Sequence, residues 1–259
     1  MTVLFFGDIF GKPGRTALLK LLPQLIAQYK SNFVIVNGEN LADGRGITER
    51  TLKPLFSKGV DIVTSGNHLW DRQEGLDYIA DEPRIVKPMN YSPSAPGNMN
   101  YIARKGDLAL NVICLTGQIF MPPCDSPFLA FDSFWDAADQ TLPLFVDFHA
   151  ESTAEKRGFG WHVDGRASAV IGTHTHIQTA DEEILCDGTA YLTDAGMTGP
   201  HDSVIGVKKE IILEKFRTSV PHRFETSDQG LMINGVALEI DPVSRQATRI
   251  ERIRLAVEE

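Results

Sequence analysis

The first half of the chain alternates short apolar runs with segments in which apolar residues recur every three or four positions. Three runs predict buried strands, at residues 3–8, 32–38 and 60–66. Helical spacing over 13–30 predicts a helix with a kink or break at Pro23, because an interior proline cannot donate the helical hydrogen bond. Thr48 is suited to cap a second helix, which we expect to stop at Gly59. This alternation is typical of α/β folds.

The second half is less regular but keeps the pattern of apolar strands. Further strands are predicted at 108–115, 142–149, 169–174, 188–194 and 230–240. We expect one helix between the first two of these strands, ending near Gln140, and another around 208–217. A polar turn at 241–246 joins the last strand to a further alternating segment and predicts an antiparallel hairpin. The elements indicate a mixed sheet, or two stacked sheets, flanked by helices in a single domain over 1–259.

The composition excludes several classes of protein. Of the 259 residues, 42% are hydrophobic and 23% are charged, as in ordinary globular proteins. No apolar stretch approaches the roughly 18 residues that cross a membrane, and the N-terminus does not resemble a signal peptide. Three widely spaced cysteines argue against a disulfide framework and favour a reducing cytoplasm. A net charge of −9 argues against binding to long nucleic acids but does not exclude a small phosphate ester, since bound metals reverse the local sign.

Polar residues of metal-ligand type stand at the ends of five predicted strands. They are Asp8, Glu39, Asn40, Asn67, His68, His149, His174 and His176. Because ligands gather beyond the carboxyl ends of strands in open α/β sheets, we expect these side chains to converge. His174 and His176 would point to the same side if the chain there is extended. Carboxylate, amide and imidazole donors suit iron, manganese or zinc.

The charge of such a site favours phosphate. Two divalent metals with Asp8, Glu39 and a bridging hydroxide would leave a net charge of about +1. A positive site holds phosphate oxygens and brings the pKa of metal-bound water close to neutrality. Two adjacent metals also stabilise both the attacking and the leaving oxygen.

These strand-end motifs resemble those of a known superfamily. GD (7–8), GEN (38–40), GNH (66–68), His149 and GTHTH (172–176) are similar in order and spacing to calcineurin-like metallophosphoesterases, across about the first 180 residues. The GDIFGKPGR segment at 7–15 and the FMPP loop at 120–123 resemble the YmdB-like branch, and that resemblance spans nearly the whole chain.

The resemblance implies an α/β/β/α sandwich and a binuclear metal site. It implies that Asp8, Glu39 and His176 bind one metal with Asn40 near it, and that Glu39 bridges to a second metal bound by Asn67, His149 and His174. It further implies that a bridging hydroxide attacks a small phosphodiester, characteristically a 2′,3′-cyclic nucleotide, that His68 is the general acid, and that the metal is iron or manganese. Phe10 and Glu39 depart from the wider superfamily, which usually has His and Asp there, but both departures fit the branch.

Alternatives remain open for the function. A phosphomonoesterase or 5′-nucleotidase could use the same metal pair, and a regulatory metal-binding protein could hydrolyse esters only incidentally. Each motif residue alone also has an ordinary explanation, since Asp8 could cap a helix and His149 could be a core histidine. Their joint occurrence in five segments favours the metal site.

Several further residues have weaker assignments. Possible phosphate contacts are Lys12, Arg15 and Arg45, although solvated surface is the more ordinary role for each. The loop at 116–128, with Phe120 and Met121, could wall the pocket and stack a base, or simply cover a sheet end. We treat His162, His201 and His222 as structural or surface residues. A homo-oligomer is plausible from the resemblance alone.

Overall fold

Twelve strands and six helices make up the computed structural model, which describes residues 1–258. The strands are β1 (Thr2–Phe6), β2 (Phe33–Asn37), β3 (Ile62–Thr64), β4 (Asn100–Lys105), β5 (Leu108–Thr116), β6 (Leu144–His149), β7 (Ala169–Thr173), β8 (Glu183–Ile184), β9 (Ala190–Leu192), β10 (Gly199–Pro200), β11 (Leu231–Ile240) and β12 (Ala247–Ala256). The helices are α1 (Gly11–Tyr29), α2 (Glu49–Ser57), α3 (Leu76–Asp81), α4 (Pro127–Ala137), α5 (Thr153–His162) and α6 (Lys209–Thr218).

The strands form two six-stranded sheets of mixed direction. The first has the order β10-β11-β1-β2-β3, with β12 paired to β11, and the second has the order β4-β5-β6-β7-β9-β8. Strands β1, β2 and β3 run parallel, as do β5, β6, β7 and β9. The expected hairpin at the C-terminal end is confirmed, since β11 and β12 pair antiparallel from Met232 to Ile240.

Alternation within single strands separates three apolar cores. In β1, Val3 and Phe5 belong to a core between the two sheets, whereas Leu4 and Phe6 belong to a core with α1 and α2. The outer face of the second sheet packs against α4 and α5, in a third core that includes Phe159. Helices therefore cover both outer faces of two stacked sheets. The expected α/β/β/α sandwich is confirmed.

The break expected at Pro23 is wrong, because α1 is continuous from Gly11 to Tyr29. Pro23 is exposed, so the backbone carbonyl that loses its partner can be hydrated. Leu22 and Leu25 on either side of it are buried in the helix-covered core. Their burial offsets the cost of an interior proline, which is about 3 kcal/mol. Thr48 caps α2 as expected, through a reciprocal pair of hydrogen bonds with Thr51.

The sequence patterns missed α3, α5, β4 and the two-residue strands β8 and β10. Helix α5 carries glycines at 158 and 160 and only a few apolar residues, so its helical spacing is weak. None of the helices within residues 1–258 has the length and apolar character needed to span a bilayer.

The core between the sheets gives a stability prediction. The ring centroids of Phe145 and Phe5 lie 5.1 Å apart across the two sheets. We expect F145A to lower the free energy of unfolding by about 3–5 kcal/mol, because the packed surroundings cannot fill the cavity. Urea unfolding followed by circular dichroism measures the change. F216A is the control, since Phe216 is 71% exposed, and an F145A protein as stable as this control would contradict the packing.

Candidate metal centre

The predicted strand-end residues converge at one edge of the stacked sheets. Asp8 follows β1, Glu39 follows β2, Asn67 follows β3, His149 ends β6 and His174 follows β7. The first three come from one sheet and the last two from the other. The site is therefore built across the interface between the sheets, and it draws together chain segments that are up to 166 residues apart.

A compact donor cluster surrounds His149, which is fully buried. Its Nε2 lies 3.0 Å from Glu39 Oε1, 3.1 Å from His174 Nδ1 and 3.2 Å from Asn67 Oδ1. Ligand atoms of Glu39, His149 and His174 all lie within 4.8 Å of one another. This spacing suits simultaneous coordination of a cation.

Two further oxygen atoms face this region without a hydrogen-bond partner. Asp8 is fully buried, and its Oδ2 accepts from the His174 backbone N–H at 3.1 Å, while its Oδ1 has no partner within residues 1–258. Asn40 donates through Nδ2 to the Gly44 carbonyl, and its Oδ1 is also without a partner among the described residues. Burial raises the pKa of Asp8 well above its ordinary value. Buried oxygens left unpaired are costly, and a bound cation would satisfy both.

The hydrogen bonds behind His149 fix which nitrogen faces the cluster. The Thr173 hydroxyl donates to Asp147 Oδ1 at 2.7 Å, so it accepts from His149 Nδ1–H at 2.8 Å. With Nδ1 donating to Thr173, Nε2 is the nitrogen that faces the cluster, where it can hold a second proton or bind a metal. This pattern is typical of histidines that bind metals, whose other nitrogen donates to a polar group.

The other two histidines are arranged in the same way. His176 Nδ1 lies 3.1 Å from the Ile205 carbonyl, which can only accept, so Nδ1 carries the proton and Nε2 is free. His174 Nε2 lies 3.2 Å from Glu151 Oε2, which places the proton on Nε2 and leaves Nδ1 free. His149 Nε2 and His174 Nδ1 are 3.1 Å apart, so a positive charge, either a proton on His149 or a metal ion, is needed between them. The donor set therefore fits a metal.

The electrostatics of the cluster also favour a cation. Burial lowers the pKa of His149, but the charges of Glu39 and Asp8 outweigh it and raise that pKa to about 9. Burial raises the pKa of Glu39, but His149 and His68 outweigh it and lower that pKa to about 2. Burial and the His149 charge lower the pKa of His174 to about 3. One positive charge is thus stabilised at His149, and a metal ion would replace the proton there.

A cavity of about 630 Å³ opens beside the cluster. Its lining includes Glu39, Asn40, His68, His174 and His176 from the predicted site. His68 is partly exposed, and its Nδ1 lies 2.9 Å from Asp71 Oδ2, so Nε2 is the nitrogen open to a ligand. The cavity has the size of an ordinary small-molecule site.

The family follows from the sequence as a whole. Residues 4–253 match a family model described as YmdB-like protein. The chain belongs to the YmdB-like family. The resemblance seen in the strand-end motifs is thereby confirmed, and with it the metallophosphoesterase class of fold.

Three similar proteins illustrate the extent of the match to the family. A 2′,3′-cyclic-nucleotide 2′-phosphodiesterase from Bacillus subtilis (strain 168) is 47% identical over 255 residues, covering 98% of this chain and 96% of that protein. A hypothetical protein from Thermus thermophilus has a TM-score of 0.94 and 37% identity, with 100% of both chains covered. A novel phosphatase from Mycoplasma pneumoniae has a TM-score of 0.94 and 33% identity, covering 99% of this chain and 93% of that one.

Several predicted cavity residues lie elsewhere. The 116–128 loop contributes no residue to the lining of this cavity; Phe120 is instead 87% exposed. Lys12 and Arg15 do not line it either, and Arg15 donates to the Leu41 carbonyl. Arg45 does line it. The loop was misplaced because its position depends on packing against Glu155, which accepts from the backbone at Gln118.

Other residues line the cavity that the sequence patterns did not single out. His222, expected to be structural or on the surface, is exposed and lines the cavity. Arg72 lines it as well, and its guanidinium donates to the Ala42 carbonyl at 2.6 Å. The remaining two histidines have structural contacts as expected, since His162 pairs with Asp132 and His201 Nε2 lies 3.0 Å from the Met197 carbonyl.

Phe10 stands where the wider superfamily has a histidine, and it packs against the site. Its ring meets the His176 ring edge to face, with centroids 5.6 Å apart. A Cβ atom at Gly44 or Gly206 would lie 2.8 or 2.6 Å from that ring, so glycine is needed on both sides. The aromatic ring supports His176 by packing instead of supplying a further ligand.

The extended geometry expected for His174 and His176 is wrong. Their φ angles are 99° and 66°, in the left-handed region that is unfavourable for side chains with a Cβ. Both imidazoles still reach the site because buried polar contacts hold the turn in place. Strained backbone of this kind persists only where the surroundings fix it.

A buried ion pair fixes that turn. Lys156 Nζ lies 2.6 Å from Asp194 Oδ2 and donates to the Thr173 carbonyl at 2.7 Å. Asp194 Oδ2 also accepts from the backbone N–H and the hydroxyl of Thr175, at 3.1 and 2.9 Å. Asp194 closes a predicted strand and could have been noticed by that pattern, as could the lone charge of Asp147 inside an apolar run. No sequence pattern of this kind marks Lys156.

Gly66 permits the close approach of the donors. A Cβ there would collide with the His149 ring and with Glu39 Oε2. The glycine before Asn67 is therefore required by the cluster itself and not by a turn, because its φ is not positive.

Substitution of Thr173 tests the arrangement behind His149. T173V keeps the shape but removes the hydroxyl between His149 and Asp147, so Nε2 is no longer held towards the cluster. We expect the affinity for Mn²⁺ to fall about 10–100-fold, as for other groups that orient metal-binding histidines. Calorimetric titration of metal-free protein measures this change. T173S retains the hydroxyl and should bind as the wild type does; equal affinity of T173V and wild type would contradict the arrangement.

Proposed function

We propose that this chain hydrolyses small phosphodiesters, 2′,3′-cyclic nucleotides foremost, on a pair of metal ions. The observation that carries the proposal is the convergence of Glu39, Asn67 and His174 on the buried His149, with a ligand-type atom of each 3.0–3.2 Å from His149 Nε2. The donors are carboxylate, amide and imidazole, which suit iron, manganese or zinc, and iron is the first choice on the family resemblance.

The donors divide between two ions in the proposal. Asp8, Glu39 and His176 would hold one ion, with Asn40 beside it. Glu39 would be shared with the second ion, which Asn67, His149 and His174 would hold. The unpaired Oδ1 atoms of Asp8 and Asn40 support this division. When bound, the metal pair supplies positive charge that holds phosphate oxygens and makes water nucleophilic near neutral pH.

His68 acts as the general acid in this proposal. Its backbone N–H donates to Glu39 Oε2 at 2.9 Å, which holds it beside the donor cluster. Asp71 accepts from Nδ1–H, so Nε2–H can deliver a proton to an oxygen in the cavity. A sugar alkoxide is a strong base and a poor leaving group, so protonation at that oxygen accelerates cleavage.

The choice of a cyclic nucleotide rests on the relative from Bacillus subtilis, which is named a 2′,3′-cyclic-nucleotide 2′-phosphodiesterase and shares 47% of its residues. Cleavage of the bond to the 2′-oxygen would leave a 3′-phosphate. His68 would donate its proton to the departing 2′-oxygen.

A phosphomonoesterase is the second candidate, because the similar protein from Mycoplasma pneumoniae is described as a phosphatase. The donor cluster by itself is compatible with hydrolysis of either phosphomonoesters or phosphodiesters. A panel of 2′,3′-cyclic AMP, bis(p-nitrophenyl) phosphate and adenosine monophosphates distinguishes them. The proposal expects turnover of the diesters and slower release of phosphate from the monoesters.

Metal removal tests the metal dependence. We expect purified protein to contain two metal ions per chain, and chelation to abolish phosphodiester hydrolysis until Fe²⁺ or Mn²⁺ is restored. Elemental analysis beside a hydrolysis assay measures both. Activity that survives complete metal removal would defeat the proposal. Metal-loaded protein that hydrolyses no ester but binds a specific partner would favour a regulatory role.

Replacement of His68 tests the acid. We expect H68A to lower kcat for 2′,3′-cyclic AMP about 10²–10⁴-fold while metal content is unchanged. The loss should be much smaller for a p-nitrophenyl diester, since nitrophenolate leaves without a proton. H162A is the control, because His162 pairs with Asp132 and does not line the cavity. Equal losses on both substrates would argue against the assigned role.

A further inference from the structure

Part of the cavity lining is apolar and comes from the segment between β10 and β11. Its apolar members are Ile205, Val207 and Phe224, and Phe10 adjoins them. The other contributors to the cavity are mostly charged or polar, among them the buried donors. A small-molecule site that combines apolar surface with a few fixed polar groups suits a ligand with two chemically different ends.

This segment is attached directly to the donor cluster. The Ile205 carbonyl accepts from His176 Nδ1 at 3.1 Å. Val207 pairs with Thr226, and the Lys208 N–H donates to the Glu225 carbonyl at 2.9 Å. The chain around Phe224 is therefore held at a fixed position relative to His176, although it has no regular secondary structure.

Phe224 is the aromatic residue of this lining that is open to solvent. Its side chain is 43% exposed, and the Lys215 Nζ lies 4.7 Å from its ring centroid. The cation holds one side of the ring, which orients it. Larger exposures occur at Phe120 and Phe216, but neither lines the cavity. Phe224 therefore offers an exposed phenyl face inside the cavity, where a ligand can cover it.

We infer that Phe224 is the platform on which the base of a nucleotide substrate stacks while its phosphodiester lies at the donor cluster. This inference rests on the proposed function and extends it to the residue that receives the base. Because every base has a π-face, stacking tolerates all four bases. The substrates are therefore phosphodiesters that carry a planar aromatic base, with little preference for its identity. The cavity of about 630 Å³ has room for a mononucleotide.

The test compares two diesters that share a five-membered cyclic phosphate and differ in what is attached to it. One is 2′,3′-cyclic AMP and the other is glycerol 1,2-cyclic phosphate, which has neither the ribose nor the base. We expect F224A to raise KM for the nucleotide about 5–100-fold and to change KM for the glycerol ester less than about twofold. F224Y should restore the wild-type KM, because tyrosine keeps the aromatic face.

Binding to the product class gives a second readout that does not need turnover. Calorimetry with adenosine 3′-monophosphate should show the same loss of affinity in F224A, whereas glycerol 2-phosphate should bind wild type and variant equally. F120A is the matched control, since Phe120 is exposed but lies outside the cavity lining. Its KM and affinity values should equal those of the wild type.

The outcomes separate this inference from the proposed function. Unchanged nucleotide KM and affinity in F224A, equal losses for ligands with and without a base, or an effect of F120A as large as that of F224A would overturn the stacking role. Wild-type protein that binds adenosine 3′-monophosphate through Phe224 but hydrolyses no diester would uphold the platform and overturn the proposed function. Wild-type protein that neither binds nor hydrolyses these ligands would overturn both.

Discussion

The crowding of ligand-type atoms around the buried His149 Nε2 is the constraint on which the rest of the site depends. Glu39, Asn67 and His174 all place such an atom within 3.2 Å of that nitrogen. The cluster needs a positive charge within it, either a proton on His149 or a metal ion, because burial removes the water that would otherwise solvate each group. The fold therefore keeps an arrangement that is stabilised by what binds to it.

Two sets of polar contacts behind the donors keep them in place. Asp147 and Thr173 orient His149 from the interface between the sheets, and the Lys156–Asp194 pair holds the turn that carries His174. These groups are buried, so each hydrogen bond is stronger than it would be in water, and each broken one costs more. The rigidity of the sandwich is thus transmitted to the ligand atoms through a few directed contacts.

The cavity places an apolar surface next to the polar donor cluster. The donors and His68 come from strand ends, whereas the apolar part with Phe224 comes from a long connection that is attached to the site at Ile205. Strand ends place polar atoms accurately because sheet register fixes them. Connections between strands are free to vary in shape, so in this fold they are suited to deciding which substituent of a phosphate ester is accepted.

The sequence by itself determined the alternation of strands and helices in the first half and the α/β class, and it singled out the residues that the structure brings together, because apolar runs ending in Asp8, Glu39, Asn67, His149 and His174 are local patterns. It misjudged Pro23, whose cost is offset by core burial, and the backbone of His174 and His176, whose φ angles depend on a remote ion pair. Only the tertiary structure decided which imidazole nitrogens are free and that the 116–128 loop does not line the cavity while Phe224 does. Those properties arise from contacts between residues far apart in the chain, which local periodicity does not encode.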